Sequence, residues 1–126
     1  MTFDQGIARP LTILAALAIL ACQGLKPHED AAIDAWLNCD ECLNGEREAV
    51  KAVGRPAVPR LTRALDDGPP SDRGTTMRAK FGVVFDRIEA SNGPATLAVT
   101  RTEFVDRAER NYVAIYQKRA AIALRD

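Results

Sequence analysis

Apolar residues in this chain return every three or four positions, and glycine and proline fall mostly between the runs that do so. The plainest run is 75–90, where Met77, Phe81, Val84, Phe85 and Ile88 stand at offsets of four, seven, eight and eleven from the first. That is the period of one helix face. Arg78, Lys80, Asp86, Arg87 and Glu89 occupy the other faces, and Phe81 and Phe85 are expected in the core. The longest run, 101–124, carries Val105, Ala108, Tyr112, Ile115, Arg119 and Ile122 in steps of three and four. Thr100 and Glu103 before it have the spacing of a capping box. Three shorter runs repeat Ala32, Ile33, Trp36 and Leu37 (29–37), Ala49, Val50 and Val53 (46–53), and Val58, Leu61 and Leu65 (56–67). Gly54 suits the left-handed end of a helix, and Pro56 and Pro59 are tolerated in a first turn. Gly68-Pro69-Pro70-Ser71 and Ser91-Asn92-Gly93-Pro94 are breaks. Thr96 to Val99 is a lone extended run with nothing to pair with, so it reads as a packed connector. The expected fold class is all-α, with about five helices.

Residues 11–21 form an apolar run that holds no charge and one hydroxyl, Thr12, with Arg9 just before it. The run is too short to span a bilayer, which takes roughly 20 residues, and fits the apolar region of a secretory signal. Its end, Ile19-Leu20-Ala21-Cys22, resembles the bacterial lipobox. The resemblance implies that Cys22 receives diacylglycerol and becomes the first residue of the mature protein. It also implies a place in the bacterial cell envelope, on the periplasmic side, with Gln23 compatible with the outer membrane of a diderm host. On this reading 1–21 is a signal peptide, 22–28 a tether and 29–126 the helical domain. Two other readings stay open: an ordinary cleaved signal, and an Ala/Leu-rich first helix of a cytosolic bundle.

Removing 21 of the 126 residues leaves 105, enough for one domain with a modest core. Basic and acidic residues balance at 17 each. Such a chain offers no basic stripe to phosphates, which argues against nucleic acid as a partner. With no polybasic tract, membrane contact is expected through the lipid anchor alone.

With Cys22 lipidated, Cys39 and Cys42 remain, separated by Asp40 and Glu41. In an exported protein such a pair is expected as a disulfide, fixing the turn between two helices. A redox site is the rival, although the two intervening acids disfavour a thiolate. A covalent haem site needs histidine after the second cysteine, where this chain has Leu43. A zinc site has only His28 to add, and a fourth ligand is not evident.

Residues 45–68 read GEREAVKAVGRPAVPRLTRALDDG. A helix carrying Ala-Val-x-Ala-Val-Gly, a tight turn, then Ala-Val-Pro-x-Leu-x-x-x-Leu resembles a HEAT-like repeat. In such a unit Ala49, Ala52 and Ala57 let two antiparallel helices approach closely. The last residues, 119–126, look like the first helix of another such unit. The resemblance implies a small HEAT-like helical-hairpin domain, and HEAT-like proteins serve mostly as scaffolds and binding surfaces.

No catalytic constellation stands out in the sequence. His28 is the only histidine and falls in the expected tether, a poor place for a Ser–His–acid arrangement. Asp66 and Asp67 end a helix against its dipole, as a candidate cation or partner contact. Tyr112 and Tyr116 are expected as walls of an amphipathic helix rather than a ligand face. The expectation is an exported, lipid-anchored binding or scaffold protein that is not an enzyme, needs no cofactor or metal, and meets a protein partner. The alternative is a periplasmic thiol–disulfide protein using Cys39 and Cys42.

Overall fold

The computed structural model describes residues 24–92 and 98–126. The leader 1–21, Cys22, Gln23, the Gly93-Pro94 half of the second break and residues 96–97 of the expected connector lie outside them. Five α-helices form: α1 (Pro27–Leu37), α2 (Asn44–Val53), α3 (Val58–Asp67), α4 (Ser71–Asn92) and α5 (Arg101–Arg125), with a 3₁₀ turn at Arg55–Ala57 before α3. Among the described residues no strand forms, so the fold is all-α.

Helix starts follow local chemistry. Pro27 takes the first position of α1, where no N–H is needed, and the Glu29 carboxylate accepts the Lys26 N–H at 2.9 Å. His28 is therefore in the first turn of a helix, and Leu25 before it packs against the core. The chain expected as a tether to residue 28 is already part of the folded unit there. At α5 the capping box closes as expected. Thr100 Oγ1 accepts the Glu103 N–H at 3.2 Å, and Glu103 accepts the Thr100 N–H at 2.7 Å.

α5 is the central strut, in contact with each of the other four helices. α3 and α4 make the largest contacts with it, while α2 packs mainly on α1. The core joins Ile33, Trp36 and Leu37 of α1 with Val50, Ala57, Leu61, Ala64, Tyr116 and Ala120. The helices of 45–68 thus find their main partners elsewhere than in each other. Ala49 and Ala52, expected between them, are exposed, and so is Val58. The close approach made by small residues is instead that of α3 on α5. Leu61, Ala64 and Gly68 form the buried stripe, and Gln117 Nε2 donates to the Leu65 carbonyl at 2.9 Å, while Ala57 is buried in the 3₁₀ turn against α1 and α2. A second, smaller apolar cluster lies toward the far end of α4 and α5. Phe85 and Val105 are buried there, with the Phe85 and Phe104 rings 5.4 Å apart.

Gly54 and Gly68 both end helices with positive φ, 70° and 74°, but their ψ values of −142° and −160° are not left-handed helical. This mirror-extended region is essentially reserved for glycine. It redirects the chain sharply, where a left-handed cap would wind it back over the helix. At Gly68 a Cβ would also stand 3.4 Å from Val113 Cγ1. Gly68→Ala is expected to cost about 1–3 kcal/mol from backbone strain, read from urea unfolding. At Gly54 an added Cβ meets open space, so only the backbone contribution operates there.

Three carboxyls sit below their usual range. Hydrogen bonding from Arg101 lowers Asp86, that from the Thr100 backbone N–H lowers Glu103, and that from Arg47 lowers Asp126. A carboxyl depressed by folding contributes stability that is present above its unfolded pKa and lost as pH falls through its folded value. The melting midpoint is therefore expected to hold from neutrality to about pH 5, then decline as pH drops below the ordinary carboxylate range of about 4. Asp86→Asn should flatten that decline, and added salt should damp the difference because the pair is exposed.

Candidate binding cleft

Two helical faces and one loop enclose a cleft of about 340 Å³. α4 starts directly after its prolines: the Pro70 carbonyl accepts the Gly74 N–H at 3.0 Å, and the Thr75 and Thr76 hydroxyls donate to the Ser71 and Asp72 carbonyls. This early start places Arg73, Met77, Lys80 and Phe81 along one face of α4. Opposite them, α5 presents Ala108, Tyr112, Ile115 and Arg119, again at offsets of four, seven and eleven. Asn38, Cys39 and Asp40, just past the end of α1, complete the lining.

Hydrogen bonds hold that loop in place. Trp36 Nε1 donates to the Arg119 carbonyl at 3.0 Å, and Arg119 Nη1 returns a bond to the Leu37 carbonyl at 3.2 Å. The Tyr112 hydroxyl donates to Asn38 Oδ1 at 2.8 Å, and burial pushes that hydroxyl's pKa up. Asn38 Nδ2 donates to both the carbonyl and the carboxylate of Asp34, at 3.0 Å each. Arg73 Nη2 meets the other Asp34 oxygen at 2.8 Å, and Arg60 approaches the same carboxylate at 3.7 Å. The Cys39 and Cys42 sulfurs lie at disulfide distance with their Cα atoms 5.4 Å apart, inside the usual range for a bridge. A loop so held is preorganised and pays little ordering entropy when something binds beside it.

The structure distributes the sequence candidates unequally. Cys22 lies outside the described residues. Cys39 and Cys42 come together, with Cys39 half-buried at the cleft and Cys42 exposed. His28 is exposed on α1, ten residues before Asn38 and so about 15 Å away by helix rise. Asp66 and Asp67 are exposed at the end of α3, and Asp67 borders a separate shallow hollow with Arg60 and Arg63. Tyr116 is a wall residue, fully buried, with its hydroxyl 3.3 Å from Arg60 Nη1. Tyr112 is half-buried and forms part of the cleft wall. Phe81, expected in the core, is only half-buried and stands edge-on to Tyr112 with ring centroids 6.5 Å apart. Val84, from the same expected stripe, is exposed. The reason is geometric: α4 has α5 against one flank only, so its wide apolar stripe is covered on one side.

Sequence periodicity gives no reason to group the cations Arg73, Lys80 and Arg119. Arg119 did carry a signal, as the one polar member of the repeating stripe on α5. Arg73 and Lys80 fall on a common face only once α4 is known to begin at Ser71.

Among the described residues no group of three or more His, Cys, Asp and Glu side chains gathers as a metal site. No helix among them is long and apolar enough to cross a membrane. No protein-family model, no curated protein and no solved structure matches this chain.

Proposed function

We propose that this chain is an exported, lipid-anchored helical binding protein, held at Cys22 on the periplasmic side of the cell envelope and engaging its partner at the α4–α5 cleft. The cleft is the observation that carries the binding reading. It combines an apolar floor with a few convergent polar groups, the usual make-up of a ligand site. Its lining residues offer no histidine and no serine or threonine that a base would activate, so binding suits it better than catalysis. The address rests on the lipobox resemblance of Ile19 to Cys22. That the partner is a protein rests on the sequence resemblance of 45–68 to a HEAT-like repeat alone.

Two measurements test the reading. Radiolabelled palmitate is expected to enter the wild type and not Cys22→Ser; equal labelling sinks the anchor. A photo-crosslinking amino acid at position 80, in the cleft, should capture a partner in intact cells, whereas one at position 63 should not. Equal capture at both sites, or at neither, removes the cleft from the proposal.

A thiol–disulfide role is the second reading, favoured by the exposure of Cys42 beside the cleft. Thiol titration under graded glutathione buffers separates the two. A strongly reducing potential marks a structural pair, and an easily reduced pair with a reactive thiol marks the redox role.

A further inference from the structure

We infer that the cleft between α4 and α5 accepts a carboxylate carried on an apolar body, either a free organic acid or the C-terminal residue of a peptide. This rests on the binding reading above and names its ligand chemistry. Charge is the first argument. Arg73, Lys80 and Arg119 line the cleft against one lining carboxylate, Asp40, in a chain whose overall charge is balanced. Asp34 offsets part of the Arg73 charge at 2.8 Å. Arg119 gives its Nη1 bond to a neutral carbonyl, so no carboxylate cancels its charge through that bond. Arg73 lies in the first turn of α4, the helix end at which the macrodipole also favours an anion. Arginine and lysine donors in a half-enclosed site make stronger bonds to a carboxylate than to a neutral amide.

The floor is the second argument. Met77, Phe81, Ala108 and Ile115 are apolar, and Tyr112 spends its hydroxyl proton on Asn38. Tyr112 therefore presents a ring to the cleft, not a free donor. A bare anion such as inorganic phosphate has no use for this floor. At about 340 Å³, near the small end of ligand sites, the space suits one aromatic or branched aliphatic group with its carboxylate.

Trp36 is the only tryptophan, and its indole N–H is bonded to the Arg119 carbonyl, so its NMR resonance reports on the cleft. The purified full chain, labelled with nitrogen-15, is titrated with 3-phenylpropionate and with N-acetyl-Ala-Phe, each beside its neutral amide, and with inorganic phosphate. A saturable shift of the Trp36 indole signal by at least one acid, about tenfold tighter than its amide, is expected from charge-assisted bonding, with no shift by phosphate. Tighter binding of the dipeptide acid assigns a peptide terminus; tighter binding of 3-phenylpropionate assigns a free acid. Lys80→Met, at an exposed position, should weaken the acid about tenfold, narrow its advantage over the amide and keep the melting midpoint. Equal affinity of acid and amide overturns the carboxylate inference while leaving the binding reading intact. The absence of any shift at millimolar ligand also overturns it, whereas the binding reading falls only if crosslinking from position 80 fails.

Discussion

Trp36→Ala is expected to destabilise the protein by about 3–5 kcal/mol, the range for removing a large buried aromatic side chain. Trp36 is 6% exposed and sits where α1 wedges against α5. Its ring belongs to the main core with Ile33 and Leu37, and its indole N–H reaches the Arg119 carbonyl 83 residues away. A domain of this size has about 5–15 kcal/mol in total, so the substitution removes a large share. Trp36→Phe should cost less, because it keeps most of the apolar area and forfeits one hydrogen bond worth about 1 kcal/mol. Urea unfolding of the pair measures both. A loss under about 1 kcal/mol for Trp36→Ala would mean that α1 does not close the core.

Phe85→Ala should cost about 3–5 kcal/mol by the same cavity argument, but at the other end of the molecule. Phe85 is 2% exposed and stacks at a tilt against Phe104, near buried Val105. This cluster ties α4 to α5 next to the ion pair of Asp86 with Arg101. Phe81→Ala, one helical turn away, should cost less, since its half-buried ring faces the cleft and leaves no sealed cavity. Equal losses at 81 and 85 would contradict the burial difference. The Phe85→Ala and Phe104→Ala effects should fall short of additive by about 0.5–1.5 kcal/mol, the coupling of an aromatic pair.

The difference between these phenylalanines marks the limit of reading periodicity. Both lie on one apolar stripe, and a stripe says which side of a helix is apolar. It does not say how many neighbours cover that side. α4 has one main partner, so Phe85 is sealed, Phe81 is half-covered, and Val83 and Val84 are exposed. α5 presents the opposite case. With helices around it, Val105 on the repeating stripe is buried, but so are Tyr116 and Ala120 off it, while Ile115 on the stripe is exposed. The same limit applies to the small residues of 45–68. Ala49, Ala52 and Ala57 read as a contact surface, yet only Ala57 is buried, and the close approach to α5 is made at Ala64 and Gly68, because α3 lies along α5.

Local chemistry, legible residue by residue, determined the helices and where they stop. The capping box at Thr100, the prolines at 56, 59, 69 and 70, and the glycines at 54 and 68 each act within a few residues, although Gly54 turns the chain in a mirror-extended rather than a left-handed helical form and α4 begins at Ser71, ahead of its expected start. The nearness of Cys39 to Cys42 is local in the same sense. The cleft is not. Its cations come from positions 73, 80 and 119, and its rim from positions 38 to 40. Those groups share one space only because α4 and α5 run together and α1 ends between them. Packing of long-range neighbours decided that, and no short window of sequence contains it.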